Sequence, residues 1–251
     1  MIPDADQQMG QFIQAILQRY GAGRRVLDVG CGLGREVAYL CARGYEAVGL
    51  DSSPAMVAWA QQHYPTARFV AGSQDSFDLG ERFDAITCMG STFLYNATNE
   101  LLQATLGCMH QHLTPGGLLL LDMRNAAFFL TTEGQAWLRR EHHDVAVVAE
   151  GALAMTTRFE IDVAAQLLKR AYTWTLATAP PLHELLDHRL IFPQELRLLL
   201  STCGFEVCAI FDTPAPHIGA FDAEGEWVLG ETMTGRRMQA IARALPVGER
   251  R

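Results

Sequence analysis

The sequence predicts an α/β protein built as a doubly wound, mostly parallel seven-stranded sheet, with an inserted antiparallel β cover. Three observations predict it. From Arg25 to Met123, short β-branched or leucine-rich runs alternate with longer stretches of helical period, as in a parallel sheet covered on both faces. From about Asp144 to Phe192 the hydrophobic period drops to two. The first apolar run ends in a Gly-x-Gly-x-Gly turn.

Val26-Leu27-Asp28-Val29 reads as the opening strand and Ala47-Val48-Gly49-Leu50 as the second, with Val37, Leu40 and Cys41 at helical spacing between them. Ser53 supplies an N-cap and Pro54 a first helical residue, with Met56, Val57 and Ala60 on one face of the helix that follows. Arg68–Val70 and Phe83–Cys88 are the next strands. Leu102, Leu106, Met109 and Leu113 then form an amphipathic stripe that stops at a Thr114-Pro115-Gly116-Gly117 turn before a buried strand, Leu118–Met123. In the antiparallel segment, Thr157, Phe159, Ile161 and Val163 share one face, as do Arg170, Tyr172 and Trp174. Phe192-Pro193 opens a short helix through Leu200, Phe205–Phe211 is a strand, and Arg237–Ala242 reads as a closing edge strand after a polar excursion over residues 213–235. The resulting organisation is a core with an N-terminal helix over 1–133, the cover over 134–192, and completion of the core sheet over 193–251.

At 251 residues, with 49% hydrophobic and 19% charged side chains, the chain has the composition of a globular protein. A chain this long buries roughly 70–75% of its extended surface without staples. Twenty basic against 28 acidic residues give a net charge of −8, which disfavours nucleic acid as a partner. Lys169 is the only lysine and lies outside any glycine-rich loop, so a phosphate-binding ATPase loop drops out. The six cysteines form no Cys-x-x-Cys and no Cys/His spacing suited to zinc, so no metal is expected. The acidic opening residues and the short apolar runs predict neither a signal peptide nor a membrane span, hence a reduced, cytoplasmic protein.

The chemistry is concentrated at Asp28-Val29-Gly30-Cys31-Gly32-Leu33-Gly34. Glycines let a backbone approach a ligand at a helix start, where free N–H groups collect. A dinucleotide fingerprint wants Gly-x-Gly-x-x-Gly, but Arg35 stands at its last glycine, and its strand does not normally carry an acid such as Asp28. Asp51, at the tip of the second strand, is placed to accept from both hydroxyls of a ribose. Cys31 is a small side chain beside the ligand, with no base nearby in sequence to activate it.

On these residues, the chain from Arg25 to Met123 resembles the class I S-adenosylmethionine-dependent methyltransferases of small-molecule type. The resemblance implies that Asp28 and the Gly30, Cys31, Gly32, Gly34 turn hold the amino-acid part of S-adenosyl-L-methionine. It also implies that Asp51 holds the ribose, that Ser52 and Met56 flank the adenosine, and that S-adenosyl-L-homocysteine is the product. Gly72-Ser73-Gln74-Asp75 occupies the family's adenine position with Ser73 where an acid is usual, so that either Asp75 takes the role or Ser73 and the Gln74 backbone suffice. Met89 and Gly90, at the end of the fourth strand, match the place where carbonyls meet the cofactor's ammonium.

Acceptor residues are expected at the carboxyl ends of the strands and under the cover: Phe93, Tyr95, Arg124, Asn125, Arg158, Trp174 and Arg189, with His188 and Tyr172 as base or orienter. Each also admits a structural reading, such as cross-strand ion pairing for Arg158 or packing for Trp174. His142 and His143 read as surface residues. The function implied is N- or O-methylation of a small-molecule acceptor in bacterial metabolism, with a homodimer possible. Two alternatives stay open, namely another use of the sulfonium such as closure of its own aminobutyrate chain to a four-membered ring, and a non-catalytic cofactor-binding module.

Overall fold

The structure is a computed structural model that describes residues 7–148 and 151–246. The acidic opening residues 1–6, on which the signal-peptide reading rests, lie outside the described residues.

Seven strands form the main sheet: β1 (Arg25–Val29), β2 (Glu46–Asp51), β3 (Arg68–Ala71), β4 (Phe83–Cys88), β5 (Leu113–Arg124), β10 (Phe205–Phe211) and β11 (Arg237–Ala244). Their order is β10-β11-β5-β4-β1-β2-β3, with β11 alone antiparallel to its neighbours. The winding direction reverses between β1 and β4, so the carboxyl ends of these two strands flank the crevice where ligands of such sheets bind. Four antiparallel strands, β6 (His142–Val148), β7 (Gly151–Asp162), β8 (Leu167–Leu176) and β9 (Ala179–Arg189), form the second sheet.

The sheet buries apolar residues on both faces. On one, Leu27, Val29, Ile86, Leu119 and Leu121 pack with Leu102, Leu106 and Met109 of α4 (Asn99–His112) and with Leu196 and Leu200 of α6 (Pro193–Thr202). On the other, Val26, Ala85, Leu118 and Leu120 pack with Phe12, Ile13 and Ile16 of α1 (Gln8–Arg19), Val37 and Leu40 of α2 (Arg35–Cys41), and Val57 and Ala60 of α3 (Pro54–His63). Ser53 Oγ accepts from Met56 N–H at 3.4 Å and Pro54 opens α3, although Met56 itself is exposed. A third cluster, in which Ala126, Phe128, Phe129 and Trp137 of α5 (Thr132–Arg139) meet Leu168 and Leu190, seats the cover on the core.

Three local expectations change. The closing strand β11 is not an edge: it lies between β5 and β10, which buries it almost throughout, and the edges are β10 and β3. The Met238–Ala242 run, apolar except for Gln239 whose amide donates to Asp122, is what an interior position requires. Thr114–Gly117 is the irregular start of β5 rather than a separate turn, since Leu113 already pairs with Phe83 before the register shifts to Leu118–Ala85. Val163 does not share the Thr157 face, because β7 ends at Asp162 and Val163 is exposed.

Leu120, fully buried in the middle of β5, tests this packing. Leu120→Ala is expected to destabilise the fold by about 2–5 kcal/mol in urea titration with an unchanged m-value.

Candidate active site

The Gly30–Gly34 turn is fixed from β2. Leu50 O accepts from Gly30 N–H at 2.7 Å and from Cys31 N–H at 3.0 Å. Asp51 Oδ2 accepts from Gly32 N–H and its Oδ1 from Ser53 N–H, both at 2.8 Å, so one carboxylate ties the first glycine turn to the start of α3. Gly30 has φ +76, and a Cβ there would collide with Thr92. Gly32 has φ +50 with open space around it, and Gly34, at φ +75, caps α2.

Above this turn opens a cavity of about 420 Å³, in the size range of small-molecule sites. Of the residues expected to bind cofactor, Gly30, Asp51, Ser52, Ser73, Gln74 and Asp75 line it, and so does Tyr95 from the acceptor set. Thr92, Asn96 and Leu101, which sequence reasoning did not select, complete the wall. Ser73 Oγ donates to Asp75, and Gln74 Nε2 donates to Thr92 O at 3.1 Å. Gln74 Oε1 is a buried acceptor without a donor among the described residues. A ribose-sized diol at Asp51 and a ligand amino group at Gln74 suit these atoms, so the wall fits an adenosine.

Asp28, Cys31, Gly34 and Met89 are buried and lie outside the wall of this cavity. Asp28 is 3% exposed and accepts from Thr87 Oγ1 at 2.6 Å. Burial, then the charges of Glu36 and Asp51, push its carboxyl up to about 7 against the opposing Thr87 bond. Burial and the neighbouring Asp28 and Asp51 push the Cys31 thiol up, which keeps it an inert packing residue.

A second cavity, of about 390 Å³, lies under the cover. Gly90, Arg124 and Tyr172 line it, together with Trp137, His142, Phe159, His217 and Arg237. His142 is therefore half-buried rather than superficial; its ring packs 4.4 Å from that of Trp137. Between the cavities sits Arg170, 6% exposed, which donates at 3.0 Å to Tyr172 Oη on one side and at 3.0 Å to Tyr95 Oη on the other.

Several expected acceptor residues are engaged elsewhere. Phe93 is fully buried in the core. Asn125 is buried, its amide donating to Met233 O and Gly235 O at 2.9 Å each while its oxygen accepts from Ala127 N–H. Arg189 binds Leu190 O and Glu195, at the start of α6. Arg158 is on the outer face of the cover, paired with Glu141. Trp174 is half-buried and stacks on Tyr172 at 6.1 Å. His188 is 1% exposed, and burial followed by the charges of Arg170, Arg124 and Arg237 pushes its imidazole down to about 2. His188 is not among the residues that line either cavity.

The residue that sequence reasoning missed most clearly is Asp122. It is fully buried on β5 and accepts from Gly90 N–H at 3.1 Å, Gln239 Nε2 at 2.8 Å and both Nε and Nη2 of Arg237; His217 Nε2 lies 3.0 Å away. Burial alone would raise its carboxyl, but Arg237 and His217 hold it well below the usual carboxylate range. An acid inside the otherwise apolar Leu118–Met123 run was the available signal, the same one that singled out Asp28.

Residues 26–117 match the family model of the methyltransferase domain. Among curated proteins, the chain is 34% identical over 113 residues to dTDP-4-amino-2,3,4,6-tetradeoxy-D-glucose N,N-dimethyltransferase of Saccharopolyspora spinosa, a match covering 45% of each chain. It thus spans about half the length of such relatives. Among solved structures, a S-adenosylmethionine-dependent methyltransferase from Clostridium acetobutylicum superposes with a TM-score of 0.75 at 14% identity, over 96% of this chain and 92% of that one. A sugar N-methyltransferase from Streptoalloteichus superposes with a TM-score of 0.73 at 22% identity, over 97% and 88%. The chain as a whole therefore has the fold of the class I S-adenosylmethionine-dependent methyltransferases, and its residues 26–117 match a methyltransferase domain.

Proposed function

We propose that the protein transfers a methyl group from S-adenosyl-L-methionine to a nitrogen or oxygen of a small-molecule acceptor. The observation that carries this is the pair of cavities, one over the glycine turn and one under the cover, with the Tyr95–Arg170–Tyr172 bridge between them. The cofactor supplies a methyl on a sulfonium, displaced in line with a neutral thioether leaving. The chain's own tasks are to align the two reactants and to exclude water. In this reading Asp51 and Gln74 fix the nucleoside, Asp28 and the glycine turn hold its amino-acid end, and the cover from β6 to β9 closes over the acceptor. Tyr172 Oη accepts from Arg170, which leaves its own proton to orient the acceptor.

The three-part organisation gives each part a role, with 1–133 for the cofactor, 134–192 for the acceptor, and 193–251 for completing the sheet and carrying His217 and Arg237 to the second cavity. A small acceptor rather than nucleic acid fits the net charge of −8. An amino sugar is the acceptor class that the matched relatives' names suggest. No helix among the described residues is long and apolar enough to cross a membrane, and a cytoplasmic location is part of the proposal.

Incubation with S-adenosyl-L-methionine alone is expected to release no methylthioadenosine, and S-adenosyl-L-homocysteine is expected only when an amino-sugar nucleotide panel is added. Methylthioadenosine without acceptor would instead establish ring closure. Asp51→Ala should weaken S-adenosyl-L-homocysteine binding at least about tenfold by calorimetry. Asp28 gives a pH signature. The native state keeps a proton that the unfolded chain releases near the ordinary value of 3.8, so this group's stabilisation fades as pH rises toward about 7. Asp28→Asn, which still accepts from Thr87, should therefore gain stability relative to wild type between pH 5 and pH 8 in urea titrations; a constant difference would refute the assignment.

A further inference from the structure

Arg124 and Arg170 form a basic knot between the cavities, with His188 beside them. Arg124 lines the acceptor cavity with its guanidinium 5.7 Å from the Trp137 ring and 5.5 Å from the Phe159 ring. Arg170 lies between the Tyr95 and Tyr172 rings, 5.5 Å from each. Cross-strand register on the cover places Arg170 opposite Phe159 and His188 opposite Leu168 on the same buried face. Among the described residues neither guanidinium meets a carboxylate. Arg124 Nε, Arg170 Nε and both ring nitrogens of His188 are buried polar atoms without partners. The nearby fully buried acid, Asp122, is engaged by Arg237, Gln239 and His217, and Asp144 stands exposed on the cavity's rim. Uncompensated charge in a desolvated place is unfavourable unless a counter-charge arrives.

Resting on the acceptor-pocket reading above, we infer that Arg124 and Arg170 form an anion subsite that takes a carboxylate or phosphate group carried by the acceptor. A planar guanidinium offers two parallel N–H donors to either group, and the aromatic walls hold both guanidinium planes in place. Anchored there, the acceptor presents its nucleophile toward Tyr95 and the cofactor cavity.

The test uses protein loaded with S-adenosyl-L-homocysteine and follows arginine Nε–Hε resonances while sodium acetate, sodium phosphate or, for ionic strength, sodium chloride is added. Saturable shifts of the Arg124 and Arg170 signals with acetate or phosphate, absent with chloride, are expected. The stronger of the two ligands identifies the anionic group. Arg124→Gln and Arg170→Gln should each weaken that binding at least about tenfold, while Arg197→Gln, at an exposed position of α6, leaves it unchanged. Melting temperature and S-adenosyl-L-homocysteine affinity report on folding and on the cofactor site separately. Absence of saturable binding by acetate and phosphate in wild-type protein, or equal binding in both variants, overturns the proposal. Failure to bind S-adenosyl-L-homocysteine would count against the methyltransferase reading instead, with the anion titration still interpretable.

Discussion

Asp122 carries its charge at a position without solvent, and the groups that compensate it come from distant parts of the chain. Gly90 N–H arrives from the end of β4, Arg237 and Gln239 from β11, and His217 from the excursion that precedes it. A buried carboxylate is tolerated only when its lone pairs are met, so these segments are held to one another by electrostatics as well as by packing. Arg237 also donates to Ser91 Oγ at 2.9 Å, which extends the network to the start of the short 3-10 helix Thr92–Tyr95 whose end residues line the first cavity. One acid thereby places residues of both cavities.

That arrangement also decides the charge of the acceptor side. Because Asp122 is committed to Arg237 and His217, no buried acid among the described residues pairs with Arg124 or Arg170. Burial, followed by the charges of Arg170 and Arg237, lowers the Arg124 guanidinium to about 10, still a cation at neutral pH. The first cavity has the opposite character: Asp51 ties down the glycine turn, and the charges of Glu36 and Asp51 act on the buried Asp28. A ligand with a cationic amino-acid end and an acceptor with an anionic end would each meet a complementary field. Arg170 stands at the boundary, its two hydrogen bonds linking a tyrosine of each cavity.

Much of this was legible beforehand. The parallel strands, the N-cap at Ser53, and the switch to period two across the cover follow from local pattern, since the side-chain period and the capping residues are properties of short windows. Asp28, Gly30 and Asp51 were legible for a similar reason: an acid in a strand and glycines at its end are local departures from what a purely structural segment needs. The acceptor side was not. Phe93 and Asn125 follow strands that end at the crevice, yet one fills the core and the other ties down Met233 and Gly235. His188 has the chemistry of a base, but the register of β9 with β8 turns it inward beside three arginines.

The sequence by itself determined the layering, the strand-to-helix turn and the acid at the tip of β2, because each depends on residues within a few positions of one another. Only the tertiary structure decided which histidine faces a cavity, which arginine is neutralised and which final strand lies inside the sheet. Those outcomes depend on how residues more than a hundred positions apart, such as Asp122 and Arg237, desolvate and pair, and no local period encodes that.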